Sequence, residues 1–346
     1  MVSKRKIRIA DIAQEAGVGV ATVDRVVNDR PGVKPHTVQR IQEAIQRLEN
    51  APDVGSGSLG LRTALTFDFI LPAGTNTFMQ NLHEAIQAAA THQESGGINA
   101  RCHRIEGFNP QVLADSIRKF GPTSNGLAVV ALDNPIVREA VNDVVDQGVP
   151  VVTLVSDLSN SRRQGYVGLD NRAAGRTAGY LMGRFASKNT GNVVLIAGSI
   201  GLSYRDHQER EFGFRDALSE QFPNLEIADR VDNKDDFEKA YQQTLKILDS
   251  HDGLLGIYNI GAGNRGIGHA LRERGYDQDT IFIGHEVTKF SRQFLIEGVM
   301  DAVINQDVSH EAHEALRILT NYHIEKNSLP VLGPPRIEVY VRENLP

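Results

Sequence analysis

Three polar side chains follow apolar runs of the chain, at points where a ligand could bind. Asn259 closes the run GIYN, Glu286 follows IGH, and Gln306 follows AVIN. A carboxylate accepts hydrogen bonds from adjacent hydroxyls, and an amide both donates and accepts, so this set suits a small polyhydroxy ligand. These residues therefore predict a binding site for a small polar molecule.

Residue patterns typical of catalysis are weak in this sequence. No G-x-S-x-G or P-loop occurs, and Cys102, the single cysteine, has no evident activating neighbour beyond His103. His310 and His313 lie three residues apart on a predicted helix, but no third metal ligand is near in sequence, which favours a solvated helix face. A single cysteine also excludes an intrachain disulfide and is compatible with a reducing cytosol. We therefore expect a protein that is not an enzyme and that needs no cofactor or metal.

One glycine-rich loop supports a competing interpretation. The segment from Gly261 to Gly266, GAGNRG, follows an apolar run, opens a helical stretch and precedes the acid Glu286. Formally this is the dinucleotide fingerprint, with its acid about 20 residues on, and it suggests an NAD-dependent oxidoreductase. The pattern arises easily by chance in a chain with 32 glycines. It also leaves residues 7–49 unexplained, so we prefer a binding function.

From Thr63 onward, short apolar runs alternate with helical stretches, which predicts parallel sheets covered by helices on both faces. Ligands of such sheets bind beyond the carboxyl ends of the strands, where the polar residues above stand. The predicted strands are 64–71, 126–132, 150–155, 192–197, 254–260, 281–283 and 337–341. The predicted helices are 79–93, 111–119, 136–147, 173–187, 206–221, 237–249 and 266–275.

The first 50 residues follow a purely helical pattern. Ile12, Ala13 and Ala16 recur at helical spacing before Gly17, and a second helical pattern starts at Ala21 after a glycine-containing turn. A third helix within 35–48 would close a small three-helix core. Two helices joined by such a turn are typical of a helix-turn-helix that reads DNA, although an αα-hairpin of an unrelated domain has the same spacing.

Charge is distributed unevenly along the chain. Residues 1–50 carry nine Lys and Arg against six Asp and Glu, a net charge of +3, whereas the whole chain carries −6 and the remainder therefore −9. A basic head on an acidic body suits a module that binds a polyanion such as DNA. No apolar run is long enough to span a membrane, and the N-terminus lacks the apolar region of an export signal. We expect a cytoplasmic protein with no membrane partner.

With these features in place, the chain resembles the lactose-repressor family of bacterial transcription regulators over nearly its whole length. Residues 9–28 match the family's head pattern, I-x-D-I-A-x-x-A-G-V-x-x-x-T-V-x-R-V-x-N. The resemblance implies an all-α helix-turn-helix head over residues 1–50, a linker over 51–62 and an α/β body over 63–346. The body would consist of two doubly wound parallel-sheet subdomains around a ligand cleft, as in type I periplasmic binding proteins.

The resemblance also implies how the chain divides between these subdomains. The N-terminal subdomain would take about 63–168 and 307–332, and the C-terminal one about 169–305 and 334–346. The chain would then cross between them at three places, near Asp170-Asn171, near Gln306 and near Gly333-Pro334.

The DNA contacts implied by the resemblance lie in the head. The family's base-reading positions on the second helix are occupied by Val20, Ala21 and Arg25. We expect Arg8, Thr22 and Asn28 to contact phosphates, which orients the head without reading sequence. Arg25 can bind guanine O6 and N7 through two hydrogen bonds. Asp24 stands where the family usually has Ser, and a carboxylate there is repelled by phosphates unless it pairs with Arg25 or Arg30. It is therefore either an orienting partner or a cost to affinity.

The linker departs from the family pattern N-x-x-A-x-x-L, in which a short helix carries a leucine into the minor groove. Leu59 is the candidate for this wedge, with Leu61 as the alternative. Three glycines in the segment, Gly55, Gly57 and Gly60, disfavour a stable hinge helix, since glycine is a poor helix former.

The effector contacts implied by the resemblance lie in the body. Asn259, Glu286 and Gln306 match family positions, and Phe78 matches an aromatic residue that packs on a sugar ring. Gln208 stands where many relatives carry an arginine, and Arg205 could take that role from one turn away. The full predicted set is Phe78, Asp133, Asp157, Asn171, Arg205, Gln208, Asn259, Glu286 and Gln306.

The resemblance implies a ligand-responsive regulator whose DNA affinity changes when a small carbohydrate-like effector binds. It favours a repressor. Its partners would be a pseudo-palindromic double-stranded DNA operator and a second copy of the chain, in a homodimer or a tetramer. The alternatives are the NAD-dependent oxidoreductase and an exported sugar-binding transport receptor of the same fold. The exported receptor would need a signal peptide, which the sequence lacks.

Overall fold

The computed structural model describes residues 12–13, 15–28, 30, 33–34, 37–42, 44, 64–74, 76–93, 97–107, 109–187, 190–198, 204–251, 253–324 and 335–346. The chain divides into two compact units, the head (1–62) and the body (63–346). Predictions for Arg8, for Leu59 in the linker and for the crossing at Gly333-Pro334 lie outside the described residues.

The head is built around one small apolar core. Helix α1, Val20–Val27, follows a turn at Gly17, whose φ of 59° suits glycine. Further helical residues lie at 12, 13 and 15 and at 37–42 and 44. All three segments contribute to the core, which contains Ile12, Ala13, Ala16, Val23, Ile41 and Ala44. This packing leaves the opposite face of α1 exposed.

The first lobe of the body contains a parallel sheet of five strands within the described residues. Their order across the sheet is β2-β1-β3-β4-β5. β3 and β4 are buried at every position because helices cover both faces of the sheet. The strands are β1 (Leu65–Pro72), β2 (Ile98–Ile105), β3 (Gly126–Val129), β4 (Val151–Leu154) and β5 (Gly165–Val167).

The second lobe contains a sheet of six strands in the described part of the chain, ordered β11-β10-β9-β8-β6-β7. All neighbours are parallel except β11, which is antiparallel to β10. Alternate residues of the central strands face two separate cores, one on each side of the sheet. The strands are β6 (Gly191–Ala197), β7 (Leu225–Asp232), β8 (Gly256–Asn259), β9 (Ile281–His285), β10 (Ala302–Asn305) and β11 (Glu338–Tyr340).

The helices of the body begin where side chains or prolines satisfy their first turns. Asn109, Asn134, Asp170 and Asp236 each accept a hydrogen bond from the first turn of a helix. The helices are α2 (Thr77–Gln93), α3 (Pro110–Phe120), α4 (Pro135–Asp146), α5 (Asn171–Phe185), α6 (Arg205–Gln221), α7 (Phe237–Ser250), α8 (Asn264–Arg274), α9 (Lys289–Glu297) and α10 (Val308–Ile324).

The chain passes between the lobes more than once. It leaves the first sheet after β5 and enters the second lobe with α5, and it returns after β10, because α10 packs on the first sheet. Ala312, Ala315, Leu316 and Leu319 of α10 are buried in the first lobe's core. The last strand, β11, again belongs to the second sheet. These passages agree with the two-lobed fold class predicted from the sequence, which is confirmed.

Glycines bring α5 and α6 into close contact in the second lobe. A Cβ atom added to Gly175 would lie 1.9 Å from the carbonyl oxygen of Arg210, and one added to Gly213 would lie 2.1 Å from that of Arg172. Only glycine fits this approach, and it fixes the position of Arg210 on α6. None of the helices within the described residues is both long and apolar enough to cross a membrane.

Candidate functional site

A cavity of about 110 Å³ lies between the two lobes, at the carboxyl ends of strands from both sheets. The first lobe supplies mostly apolar side chains to its wall, among them Phe78, Met79 and Val155. The second lobe supplies charged ones, including Asp235 and Glu286. A small ligand bound here would contact an apolar wall on one side and an acidic wall on the other.

Strained backbone surrounds this cavity. Six described residues other than glycine have positive φ, and four of them line the cavity: Val155 (61°), Lys234 (51°), Asp235 (54°) and Glu286 (70°). A β-branched residue such as valine is rarely found there. Each such residue costs on the order of 1–3 kcal/mol and is kept where the surrounding structure requires its side chain in one place. The strain supports a functional role for this wall.

A buried arginine organises the base of the site. Arg210 is 1% exposed. Its Nε donates to Asn171 Oδ1 (2.7 Å), its Nη1 to the Ile260 carbonyl (3.0 Å) and its Nη2 to Gln306 Oε1 (3.0 Å). Gln306 in turn donates to Glu311 Oε1 at 2.6 Å. The network thus joins α5, α6 and the crossing at Gln306.

Among the predicted site residues, Glu286 combines burial, a place in the cavity wall and a raised pKa. It is 8% exposed and lines the cavity. Burial raises the pKa of Glu286 to about 7, Arg210 at 3.9 Å opposes this rise, and Asp235 and Asp206 add to it. The carboxyl group is therefore present in both protonation states near neutral pH.

The other predicted effector residues line the cavity, support its wall or lie away from it. Phe78 lines the cavity and is 3% exposed. Asn171, Asn259 and Gln306 are buried and do not line it. Asn171 and Gln306 bind Arg210, whereas Asn259 donates to the Gly261 carbonyl and to Asn264. These three residues support the cavity wall rather than form it.

Four predicted contacts lie away from the central cavity. Gln208 is exposed on α6. Asp133 binds Arg138 and the Ser159 hydroxyl, and Arg205 donates to the same hydroxyl. The Asp157 carboxylate binds Arg163. A second cavity of about 250 Å³ is lined in part by Asp157, Asn171 and Arg205. The structure thus places Arg210, rather than Arg205 or Gln208, at the base of the cleft.

Sequence reasoning missed several residues of the cavity wall, notably Asp206, His207 and Asp235. Asp235 follows β7, a strand that was not predicted. Asp206 and His207 lie in the first turn of α6, in the run YRDHQ whose polar residues gave no indication of which side chain faces the ligand. The buried Arg210 carried no sequence signal, since an arginine on a helix is ordinarily exposed.

The predicted DNA-reading helix exposes the expected face. Val20 is 55% exposed, Arg25 is exposed, and Thr22 is partly exposed. Ala21 lies on the same helix. Among the described residues, Arg25 has no ion-pair partner, so its guanidinium is available to a base edge.

Asp24 is paired within the head. Its carboxylate forms an ion pair with Arg30 at 3.0 Å and accepts a hydrogen bond from Asn28 Nδ2 at 2.8 Å. Asp24 therefore orients Asn28 and Arg30 and does not pair with Arg25.

The glycine-rich loop has a packing role in this structure. A Cβ atom on Gly266 would lie 2.1 Å from the Phe237 carbonyl, and one on Gly261 would lie 2.6 Å from Asp235 Oδ1. The φ of 112° at Gly263 also requires glycine. These constraints explain the spacing without a dinucleotide. Asp235 and Glu286 beside this loop would repel a pyrophosphate.

Residues 67–327 match the family described as periplasmic binding protein domain, and residues 8–53 match the bacterial regulatory proteins of the lacI family. Catabolite control protein A of Priestia megaterium is 24% identical over 338 residues, 96% of this chain and 98% of that protein. The HTH-type transcriptional regulator pepR1 of Lactobacillus delbrueckii subsp. lactis is 26% identical over 249 residues, 71% of each chain. The glucose-galactose binding protein GanP of Geobacillus stearothermophilus has the same fold, with a TM-score of 0.74 at 21% identity over 82% of this chain and 100% of that chain.

Proposed function

Because the chain belongs to the family of periplasmic binding protein domains and carries a DNA-binding domain of the lacI family of bacterial regulatory proteins, we propose that it is a ligand-responsive repressor of transcription. The observation that carries the proposal is the pairing, in one chain, of an exposed DNA-reading helix with a strained, acidic cavity between two lobes. A transport receptor would need the cavity alone.

The head supports sequence-specific DNA binding. Arg25 offers the bidentate geometry that distinguishes guanine, and Val20 offers an apolar contact that suits a thymine methyl group. One head presents few base contacts, so two heads on a pseudo-palindromic operator would supply the specificity that one lacks. We therefore propose a homodimer as the unit that binds DNA.

The body supports binding of an effector that is not chemically transformed. A small polar ligand, sugar-like in its hydroxyl groups, would contact Phe78 from one lobe and Glu286 from the other, so that binding draws the lobes together. An effector that favours the closed lobes changes operator affinity by the difference in its affinity for the two states. We propose that this change releases the operator. A role outside catalysis and without a cofactor is part of the same proposal.

The test is an electrophoretic mobility-shift assay on a native gel. Full-length protein is incubated at low ionic strength with duplexes from its own genomic neighbourhood and with shuffled duplexes of equal composition. We expect one neighbourhood duplex to be retarded at concentrations at which the shuffled control is not. Failure to retard any of them, with and without sugars and polyols, contradicts the proposal.

A further inference from the structure

The acidic wall of the cavity contains more carboxyl groups than basic side chains. Four carboxylates and two basic side chains belong to this wall: Asp206, Asp235, Asp236, Glu286, Lys234 and His207. Asp236 is engaged elsewhere, since its carboxylate accepts hydrogen bonds from the backbone N–H groups of Glu238 and Lys239 as the cap of α7. Asp235 accepts a hydrogen bond from the Ala262 backbone N–H through Oδ1 at 3.0 Å, and its second oxygen can still accept from a ligand. With Asp206 and Glu286, three carboxylates remain to meet a ligand.

One carboxylate oxygen of Asp206 accepts no hydrogen bond from the described part of the protein. It is 5% exposed, and its Oδ1 atom is buried with no hydrogen-bond partner among the described residues. Buried carboxylate oxygens are normally paired, because taking one out of water without a donor is unfavourable. Since Asp206 lines the cavity, a bound molecule can supply the missing donor.

Arg210 does not neutralise this wall by direct hydrogen bonding. Its guanidinium donates to Asn171, to the Ile260 carbonyl and to Gln306, and its Nη1 lies 3.9 Å from Glu286 Oε1. That distance exceeds a hydrogen bond. Within the described residues, no donor is bonded to the Glu286 carboxylate, which faces the cavity.

We propose that the effector is a small hydroxylated primary amine, bound with its ammonium group among Asp206, Asp235 and Glu286. An ammonium group has three donors and no acceptor, so it matches three carboxylates. Phosphorylated or carboxylated ligands would be repelled by the same wall. No group of three or more described His, Cys, Asp or Glu side chains has the arrangement of a metal site, which favours a larger organic cation. This inference rests on the proposed function, because it names the effector of the same cavity.

The opposite wall fits the carbon skeleton of such a ligand. Phe78 and Met79 of α2, with Val130 and Val155 after two strands of the first sheet, line the cavity from the first lobe. Burial of C–H surface against them adds affinity that does not depend on charge. The two walls therefore orient the ligand, with its amine toward the second lobe.

The protonation of Glu286 adds a pH dependence. Its charged and titratable surroundings are Arg210, Asp206 and His207 of α6, Asp235 and Lys234 after β7, His285 of β9 and Glu311 of α10. The pKa of Glu286 is about 7 in the free protein, and a bound ammonium group stabilises the ionised form. At pH 7, binding should therefore release about half a proton per ligand from Glu286.

Two matched series of probes test the proposal on the full chain by calorimetry. Glucamine, sorbitol and gluconate share one open-chain skeleton and differ in charge, and glucosamine, glucose and glucuronate are the pyranose equivalents. The amine of glucamine stays protonated between pH 6 and 8, as that of lysine does. We expect glucamine, glucosamine or both to bind at least about tenfold more tightly than the neutral partner, with proton release measured in buffers of different ionisation enthalpy.

Two variants sharpen the result. Glu286→Gln should reduce the preference for the amine over the neutral partner by about tenfold, whereas Asp249→Asn, the same change at an exposed ion pair with Arg274, should preserve it. Neutral or acidic probes that bind as tightly as the amines, or no binding of any amine, overturn the proposal. In that case the proposed function still stands if a neutral sugar alters operator retention. It falls separately if no genomic duplex is retarded.

Discussion

At the scale of single residues, the proposed function assigns DNA reading chiefly to Arg25. We predict that Arg25→Ala weakens operator binding by about 1–3 kcal/mol, roughly 5- to 150-fold, because a bidentate contact to guanine is lost. The residue is exposed, so the unfolding temperature should not change. Fluorescence anisotropy with labelled operator measures the loss.

The control for this variant is Arg118→Ala on α3, which removes an exposed arginine from the body. It should leave operator affinity unchanged. If Arg25→Ala bound operator and shuffled duplex with the wild-type affinities, Arg25 would not be a base-reading residue.

Glu286 should make the unliganded protein less stable as the pH rises. Its pKa is raised from 4.5 to about 7 in the folded state, so the folded protein binds more protons than the unfolded chain between these values. The free energy of unfolding therefore falls as pH rises from about 4.5 to 7, and this one group contributes on the order of 3 kcal/mol.

Chemical denaturation at pH 5 and pH 8 checks this prediction. Glu286→Gln cannot ionise and should show a smaller loss of stability between the two conditions than the wild type. Part of the loss should remain, since burial also raises the pKa of Asp235 and of Glu311. An unchanged pH dependence in the variant would contradict the assignment.

The sequence could locate some residues of the site and not others. Glu286 was found because it follows an apolar run, and such runs become the buried strands that end at a cleft. Asp235 has the same position after β7, but β7 has no continuous apolar run and was not recognised. Arg210 could not be predicted from the sequence, since its burial depends on partners far away in the chain, at Asn171 and Gln306.

At the scale of elements, the contact between α5 and α6 holds Arg210 in place. We predict that Gly213→Ala lowers the free energy of unfolding by about 1–3 kcal/mol, because the added methyl group would lie 2.1 Å from the Arg172 carbonyl and must push the helices apart. Ligand affinity should fall as well, since Arg210 moves with α6.

The matched control is Gly165→Ala in β5, where the nearest atom, on Ile318, would lie at an ordinary 3.6 Å. This variant should retain wild-type stability within about 0.5 kcal/mol. Thermal and denaturant unfolding of both variants give the comparison. Equal stability of the two would show that the close approach of the helices is not needed.

Three of the four strands that were not predicted share a physical cause. The central strands β1, β3, β6 and β8 were predicted because both of their faces are buried, which gives continuous apolar runs. The missed strands β2, β5 and β7 are edge strands of their sheets, whereas β10, which was also missed, lies inside its sheet and has only four residues. β2 and β7 are partly exposed along their length and contain charged residues. Their sequences therefore lack the continuous apolar runs from which the other strands were predicted.

At the scale of the whole molecule, ligand and DNA should influence each other equally. If a ligand changes operator affinity by a factor within about 5 to 150, bound operator must change ligand affinity by the same factor. Calorimetric titration of the ligand, with and without saturating operator duplex, measures this reciprocity. A ligand that changed DNA affinity while operator left its own affinity unaltered would have to act outside this linkage, for example by disrupting the fold.

The two-lobed architecture was predictable at this scale because the alternation of strands and helices extends over the whole body. The pairing of lobes around a cleft came from the resemblance rather than from periodicity. The strain at Val155 and Glu286 could not be foreseen, since a positive φ at a residue other than glycine depends on the packing of its surroundings.

The return of α10 to the first sheet also bears on how the protein is made. Leu316 and Leu319 complete a core whose five strands have all been synthesised by Val167. A nascent chain emerging from the ribosome must therefore keep that apolar surface uncovered while the entire second sheet up to β10 is translated. A premature stop codon before Val308 would deprive both lobes of part of their structure, and chaperones would be expected to bind such a fragment.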